Sequence, residues 1–181
     1  MDEMSSTRFL YGTMTLPDGQ VVEYRHIDSA DTAALQRFHS HLSARTIYQR
    51  FFGVMPELSD RQAAYFTRAD GVERVALVAI DPDEPNEIIG VVRIDHDPGT
   101  DAAEYAAVVA DRWQGHGIGY GLTQVIVDAA RQRGINRLYA LVLPDNAKML
   151  GLLADLKLPE TKTFVDGVER VELDLTLTRG F

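Results

Sequence analysis

Four glycines alternate with other residues between positions 115 and 121, in the segment Gly-His-Gly-Ile-Gly-Tyr-Gly. This segment follows an apolar run that ends at Ala110 and precedes a helical pattern that ends before Gly134. Glycine-rich backbone at a strand-to-helix junction can fold its N–H groups tightly around an anion. The helix dipole then favours phosphate by roughly 0.3 to 1 kcal/mol. The glycine segment therefore predicts a βα unit with a phosphate-binding loop.

Two common phosphate loops do not match this segment. A Walker loop needs Gly-Lys-Ser/Thr, but Gly119 is followed by Tyr120 and Gly121. A dinucleotide loop needs a glycine three residues after Gly117, where Tyr120 stands, and the segment comes late in the chain, after antiparallel strands. The pattern that does match is Gln/Arg-x-x-Gly-x-Gly, which runs here from Gln114 to Gly119.

Hydrophobic periodicity predicts a mixed α/β fold. A Pro-Asp-Gly turn indicates an N-terminal hairpin, three helical segments follow it, and two β-branched runs indicate an antiparallel pair. A further strand, the glycine segment, a helix and a buried strand form a βαβ unit. We expect one domain over residues 1–181, in which residues 1–20 are an N-terminal extension and a hairpin strand. The predicted helices are 31–42, 47–52, 59–66, 120–133 and 144–156, and the predicted strands are 21–27, 75–80, 88–94, 104–110, 138–143 and 168–177.

The composition limits the possible partners. The 181 residues include no cysteine, which excludes disulfides and thiolate chemistry. The net charge of -9 and the lack of a basic run argue against nucleic acid. No leader and no apolar run of about 18 residues is present, so we expect a cytoplasmic protein without a membrane partner. His39 and His41 lie two apart without a carboxylate cluster, so we expect no metal.

The segment from Gln114 to Gly119, with its preceding strand and following helix, resembles motif A of the GNAT superfamily of acyl-CoA-dependent N-acyltransferases. The resemblance implies a GNAT-like, mostly antiparallel twisted sheet flanked by helices, with a βαβ core that binds acetyl-CoA. A helix led by Asn146 resembles the next helix of that family. Arg112, Arg131 and Arg133 are further candidates for the outer phosphates. The cofactor-binding residues implied by the resemblance are Val108, Val109, Gln114, Gly115, His116, Gly117, Ile118, Gly119, Tyr120 and Asn146.

Within that superfamily, three segments resemble the catalytic domain of Pat-type protein lysine acetyltransferases: residues 42–52, 103–106 and 144–150. Many GNAT members carry a tyrosine, seven residues after the helix-leading asparagine, that can protonate the departing thiolate. This chain has Leu153 there, and Lys157-Leu158 replaces the usual Gly-Phe at the end of the helix. Pat-type domains commonly lack that tyrosine too. Tyr48, Phe51 and Phe52 could wall an acceptor cleft or pack in the core.

The Pat-type resemblance assigns the role of general base to Glu104. A lysine amine has a pKa near 10.4, so a carboxylate must accept its proton directly or through water before the amine can attack a thioester. Without the resemblance, Glu104 is more often an exposed carboxylate at a strand end. The backbone N–H near Val109 could hold the thioester oxygen if a kink left it unpaired. Water, Tyr105 or Tyr139 could protonate the thiolate.

The sequence thus predicts an acyl-CoA-dependent N-acetyltransferase whose acceptor is a primary amine, most simply a protein lysine, by direct attack in a ternary complex. A small-molecule amine as acceptor stays open, and so does a catalytically silent coenzyme A-binding module. Monomer and homodimer are both compatible with the sequence.

Overall fold

The computed structural model describes residues 10–177. Eight strands and five α-helices follow one another in that range, with two short 3-10 turns at Ser29–Asp31 and Asp111–Trp113. The strands are β1 (Tyr11–Thr15), β2 (Val21–His26), β3 (Arg74–Ile80), β4 (Ile88–His96), β5 (Ala102–Val109), β6 (Arg137–Val142), β7 (Glu160–Val165) and β8 (Val168–Asp174). The helices are α1 (Thr32–Ser40), α2 (Ala44–Phe51), α3 (Asp60–Thr67), α4 (Ile118–Gln132) and α5 (Ala147–Asp155).

All eight strands belong to one sheet, in the order β1-β2-β3-β4-β5-β6-β8-β7. Neighbouring strands are antiparallel except for β5 and β6, which are parallel and connected through α4. The predicted mixed α/β fold, the N-terminal hairpin, the three helices after it and the βαβ unit are confirmed. A capping box begins α3, because the side chains of Ser59 and Gln62 each accept a hydrogen bond from the other residue's backbone N–H.

The sheet opens into two arms between β5 and β6. Their register runs from Ala102 opposite Arg137 to Glu104 opposite Tyr139 and ends there. The rest of β5 stays paired with β4, and the rest of β6 stays paired with β8. A cleft therefore separates the second half of β5 from the second half of β6.

Each face of the sheet has its own hydrophobic core. Helices α4 and α5 cover one face, where Leu122, Ile126 and Leu153 are buried. Helices α1 and α2 cover the other face through Phe38 and Ile47. The side chains of β5 alternate between these two cores, so both layers contribute to the walls of the cleft. None of the helices within residues 10–177 is long and apolar enough to cross a bilayer.

Strand β7 and several element boundaries differ from the sequence prediction; α2 begins three residues earlier than predicted and α5 three residues later. Strand β7 was not predicted, because its six residues are exposed on both faces and carry no hydrophobic alternation. The last strand ends at Asp174, three residues before its predicted end. The N-terminal part of the predicted extension, residues 1–9, lies outside the described residues.

Asp111 fixes α2 to the end of β5. Its carboxylate accepts hydrogen bonds from the Ser43 N–H at 3.0 Å and from the Thr46 hydroxyl at 3.1 Å. Burial alone would raise the pKa of Asp111, but these hydrogen bonds outweigh it and hold the pKa below its usual value. The ionised carboxylate therefore stabilises the start of α2.

We expect Asp111→Asn to lower the free energy of unfolding by about 1 kcal/mol at neutral pH, after allowance for solvent screening of this exposed group. Because the folded pKa is depressed, the contribution of Asp111 is complete above its unfolded pKa of about 3.9 and is lost as the pH falls through the folded value. Urea unfolding of both proteins across this range measures the effect. A difference that stayed constant down to the acid limit would contradict the assignment.

Candidate active site

The cleft between β5 and β6 contains a cavity of about 430 Å³. It extends from the glycine loop, past β5, to the inner side of α2. Ten of the eleven site residues predicted from the sequence line it: Glu104, Val108, Val109, Gln114, Gly115, Gly117, Ile118, Gly119, Tyr120 and Asn146. His116 does not line it. Its ring packs against Trp113 with centroids 5.7 Å apart, and its Nδ1 lies 3.1 Å from the Gln114 carbonyl oxygen.

The glycine loop has the backbone that an anion cradle requires. Gly115 and Gly117 adopt left-handed φ values of 78° and 93°, which side chains other than glycine rarely adopt. Gly117 is also the N-cap of α4, and the N–H groups of the first turn, such as those of Ile118 and Gly119, have no acceptor within the helix. A Cβ at Gly119 would lie 3.0 Å from Leu152 Cδ1. The loop thus presents backbone amides to the cavity, where side chains would fill the space.

Two predicted cofactor-binding residues use their side chains to hold the site together. The Gln114 amide donates to the Val109 carbonyl at 3.0 Å and to the Thr46 hydroxyl at 3.2 Å, and it accepts from Lys148 Nζ at 2.8 Å. The Asn146 carboxamide accepts from the Met149 N–H at 3.1 Å and so caps α5. The side chain of Gln114 therefore links α2, β5 and the start of α5 around the cavity.

Beyond Glu104, the edge of β5 that faces the cleft is not paired with a neighbouring strand. The Ala110 N–H donates to the Ile89 carbonyl at 2.9 Å, and Gly90 lies opposite Val109. Because hydrogen-bonded pairs alternate along an antiparallel ladder, the Val109 N–H points away from β4. The register with β4 continues without a shift along β5. The divergence of β6, and not the expected kink, therefore leaves this edge open.

Glu104 lies on the same face of the sheet as α2. Asp95 is opposite it on β4 and Tyr139 is opposite it on β6. Arg50 on α2 lines the same cavity, and its pKa is lowered by burial, while the charges of Glu104 and Asp95 act in the opposite direction. The Glu104 carboxylate is exposed at the inner end of the cleft, and its negative charge acts on the partly buried guanidinium of Arg50.

Neither candidate tyrosine has its hydroxyl free for the cleft. The Tyr105 hydroxyl is buried and lies 2.7 Å from the Thr123 hydroxyl, which donates to the Gly119 carbonyl at 2.6 Å. Burial raises the pKa of Tyr105. Burial and a hydrogen bond to Asp97 at 3.1 Å raise the pKa of Tyr139 to about 12. Both hydroxyls therefore hold protons tightly in contacts that stabilise the fold.

The three arginines considered for the phosphates have other partners. Arg112 is paired with the buried carboxylate of Asp81. Arg131 and Arg133 donate to the carbonyl groups of Leu175 and Gly71. They lie at the opposite end of α4, about 22 Å from the loop at 1.5 Å per residue. The helix therefore carries Arg131 and Arg133 away from the loop, which argues against a role for them at the outer phosphates and favours the alternative of ordinary helix and loop charges.

The sequence predicted only part of the cavity wall that α2 contributes. Phe52 lines the cavity as suggested, whereas Tyr48 is exposed and Phe51 packs in the core beneath α2. Gln49 and Arg50 line the cavity too, but polar residues on an amphipathic helix carry no sequence signal that separates a cavity wall from a solvated face.

A family model described as the acetyltransferase (GNAT) family matches residues 36–156, which is more than half of the chain. The chain belongs to the GNAT family. The resemblance predicted from the glycine motif is therefore confirmed, together with the mixed, mostly antiparallel GNAT fold. GNAT members are acetyltransferases, so this chain is a GNAT-type N-acetyltransferase by family.

Similar proteins agree with this assignment. The GNAT domain of S. lividans PAT is 35% identical, with a TM-score of 0.84 over 91% of this chain and 96% of that one. Acetyltransferase PA5475 of Pseudomonas aeruginosa is 28% identical over 78% of this chain and 77% of its own length. The structure of yncA from Salmonella typhimurium, solved with its cofactor acetyl-CoA, is 18% identical, with a TM-score of 0.67 over 88% of this chain and 96% of that one. At that identity, the last match shows the fold alone.

Within residues 10–177, no group of three or more histidine, aspartate and glutamate side chains is arranged to hold a metal ion.

We expect Tyr105→Phe to lower the free energy of unfolding by about 1 kcal/mol, because it removes one buried hydrogen bond and leaves Thr123 bonded to Gly119. Acetyl transfer should stay within about twofold of the parent, since this hydroxyl is buried against Thr123. Urea unfolding and initial rates measure the two effects. A large loss of kcat with intact folding would instead place this hydroxyl in the reaction.

Proposed function

We propose that this GNAT protein transfers an acetyl group from acetyl-CoA to the side-chain amine of a protein lysine, by direct attack in a ternary complex. One observation carries the proposal: a single cavity joins the glycine loop at one end to Glu104 and α2 at the other, through the gap between β5 and β6. A phosphate-bearing carrier and an amine can therefore meet in one space from two sides of the sheet.

The residues at the glycine-loop end of the cavity fit the diphosphate of coenzyme A. The left-handed Gly115 and Gly117 turn backbone N–H groups toward the start of α4, where the helix dipole favours negative charge. Lys148 lies beside this loop through its bond to Gln114 and adds a positive charge at the mouth of the cavity. We infer that the amides of residues 115–120 bind the diphosphate and that Val108, Val109 and Asn146 line the path of the pantetheine arm.

The residues at the other end of the cavity, beside Glu104 and α2, fit the chemistry of the amine. Acetyl-CoA supplies an activated acetyl thioester when it is bound. The Val109 N–H, which faces the cleft, would donate to the thioester oxygen as negative charge develops on it. Glu104 would accept the proton of the acceptor ammonium. Because about 17 Å of extended strand separates Glu104 from Val109, that proton reaches the carboxylate through water.

The departing thiolate does not require a protein acid. A thiol has a pKa near 8.5, so a thiolate is a stable leaving group at neutral pH and can take a proton from solvent. The engagement of Tyr105 and Tyr139 in other hydrogen bonds and the burial of Leu153 support this interpretation.

Support for a protein lysine as acceptor comes from the Pat-type segments and from the 35% identity with the GNAT domain of S. lividans PAT. The net charge of -9 attracts cationic segments to this protein. Incubation with acetyl-CoA and a panel of proteins, peptides and small amines, read by mass spectrometry, tests the proposal. Transfer only to small amines would overturn the acceptor class, and coenzyme A binding without any transfer would indicate a silent binding module.

We expect Glu104→Gln to lower kcat/KM for the amine by about 100-fold or more at neutral pH, because the neutral amide cannot accept the ammonium proton. The affinity for acetyl-CoA should remain within about twofold. Glu172→Gln is the matched control, since Glu172 lies on the same sheet face opposite Tyr139 and does not line the cavity. Equal losses of kcat/KM in the two variants would show that Glu104 contributes only its negative charge and is not the general base.

We expect Gly115→Ala to weaken acetyl-CoA binding by at least tenfold, because the alanine strains the left-handed turn and displaces the loop amides. Gly134→Ala is a close control: its φ is 75° against 78° for Gly115, a Cβ meets nothing within 4 Å at either position, and Gly134 lies beyond the opposite end of α4. Both should lose a similar free energy of unfolding, about 1 to 2 kcal/mol. Calorimetric titration should show a loss of acetyl-CoA affinity only for Gly115→Ala. Equal acetyl-CoA affinities of the two variants would show that the loop is not part of the binding site.

A further inference from the structure

A second, smaller chamber lies behind the inner end of the cavity. It has a volume of about 30 Å³ and lies between the sheet and helices α1 to α3. Such a volume holds about two water molecules, which is also the size of a carboxylate group. The chamber shares Arg50, Ala106 and Val108 with the large cavity, and Arg93 is a second guanidinium in its wall. The rest of its lining is apolar apart from His39.

Arg93 is buried with unused hydrogen-bonding capacity. Only 5% of the residue is exposed, and its Nε has no hydrogen-bond partner among the described residues. One terminal nitrogen donates to the Phe66 carbonyl at 3.4 Å, and the guanidinium lies 5.0 Å from the centre of the Phe66 ring. Burial lowers the pKa of Arg93 to about 10. A buried guanidinium with five donors and so few acceptors is costly unless an anion completes its shell.

Asp95 forms only a long ion pair with Arg93 and does not complete that shell. Its oxygen lies 3.9 Å from Arg93 Nε, beyond hydrogen-bonding distance, and the carboxylate accepts a hydrogen bond from Arg74 Nε at 3.3 Å. Arg50 adds a second positive charge, which acts unfavourably on Arg93. Of the described residues that line the chamber, none is acidic. Two guanidinium groups therefore line a small, largely apolar space that shares part of its wall with the inner end of the large cavity.

We propose that Arg50 and Arg93 bind a carboxylate carried by one of the two substrates of this enzyme. This inference rests on the proposed acyltransferase function. The carboxylate can come from two sources: the end of a four-carbon dicarboxylic acyl group on coenzyme A, or, for the alternative small-amine acceptor, a carboxylate next to the amine. Arginine suits either source, because its planar fork binds a carboxylate through two parallel hydrogen bonds.

Matched ligand pairs separate the two sources. Succinyl-CoA and butyryl-CoA differ only in that a carboxylate replaces the terminal methyl group, and leucine and leucinamide differ only in the acceptor carboxylate. Binding of each is measured by calorimetric titration, with free coenzyme A, which has no acyl group to transfer, held saturating for the two acceptors. We expect the carboxylate-bearing member of one pair to bind at least tenfold more tightly, and we expect Arg93→Met to abolish that preference. Arg37→Met, an exposed arginine on α1 outside the chamber, should retain it.

Arg50→Met serves as the second variant if Arg93→Met does not fold, as judged by circular dichroism, and it should abolish the same preference. The inference would be overturned if neither pair showed a preference for the carboxylate, or if the preference persisted in the folded variants. The chamber would then hold only buried water. Calorimetric titration measures binding without turnover, so its result is independent of the acetyl-transfer experiment. Failure of acetyl transfer to every amine would count against the proposed function, and a carboxylate preference would still identify the arginine site.

Discussion

The divergence of two parallel strands is the constraint on which the rest of the site depends. Strands β5 and β6 pair over three residues and then separate, so each keeps a partner on its outer side and loses the one on its inner side. Buried backbone groups along such an edge need new partners, and a ligand that enters the gap can provide them. The open edge of β5, the exposed position of Glu104 and the access to α2 all follow from this separation.

The second half of the site is held in place by polar contacts that connect distant parts of the chain. Asp111 binds the start of α2, and Gln114 joins that helix to β5 and to Lys148. These residues belong to the segment between β5 and α4, which also carries the glycine loop. A few hydrogen bonds therefore hold α2 and the segment that carries the loop together.

Much of this architecture could be predicted from the sequence, because the periodicity of the long apolar runs and the glycine pattern are strong local signals. The βαβ unit and ten of the eleven predicted site residues illustrate this. Strand β7 could not be predicted, since its pairing with β8 is a tertiary event without a buried face. The positions of Arg131 and Arg133 depend on the direction of α4, and the placement of Arg93 behind the cavity depends on packing between layers. Neither kind of information is present in a short segment of sequence.

The alternating glycines serve two different physical requirements. Gly115 and Gly117 need a backbone conformation, whereas Gly121 provides room for Met14, whose sulfur would lie 2.8 Å from a Cβ at that position. Pro17 likewise lies 3.1 Å from where a Cβ of Gly117 would stand. The N-terminal hairpin thus presses on the outer side of the loop, more than ninety residues further along the chain. Part of the glycine pattern is therefore required by the neighbouring hairpin, and a side chain at position 121 would need a smaller residue than Met14 opposite it.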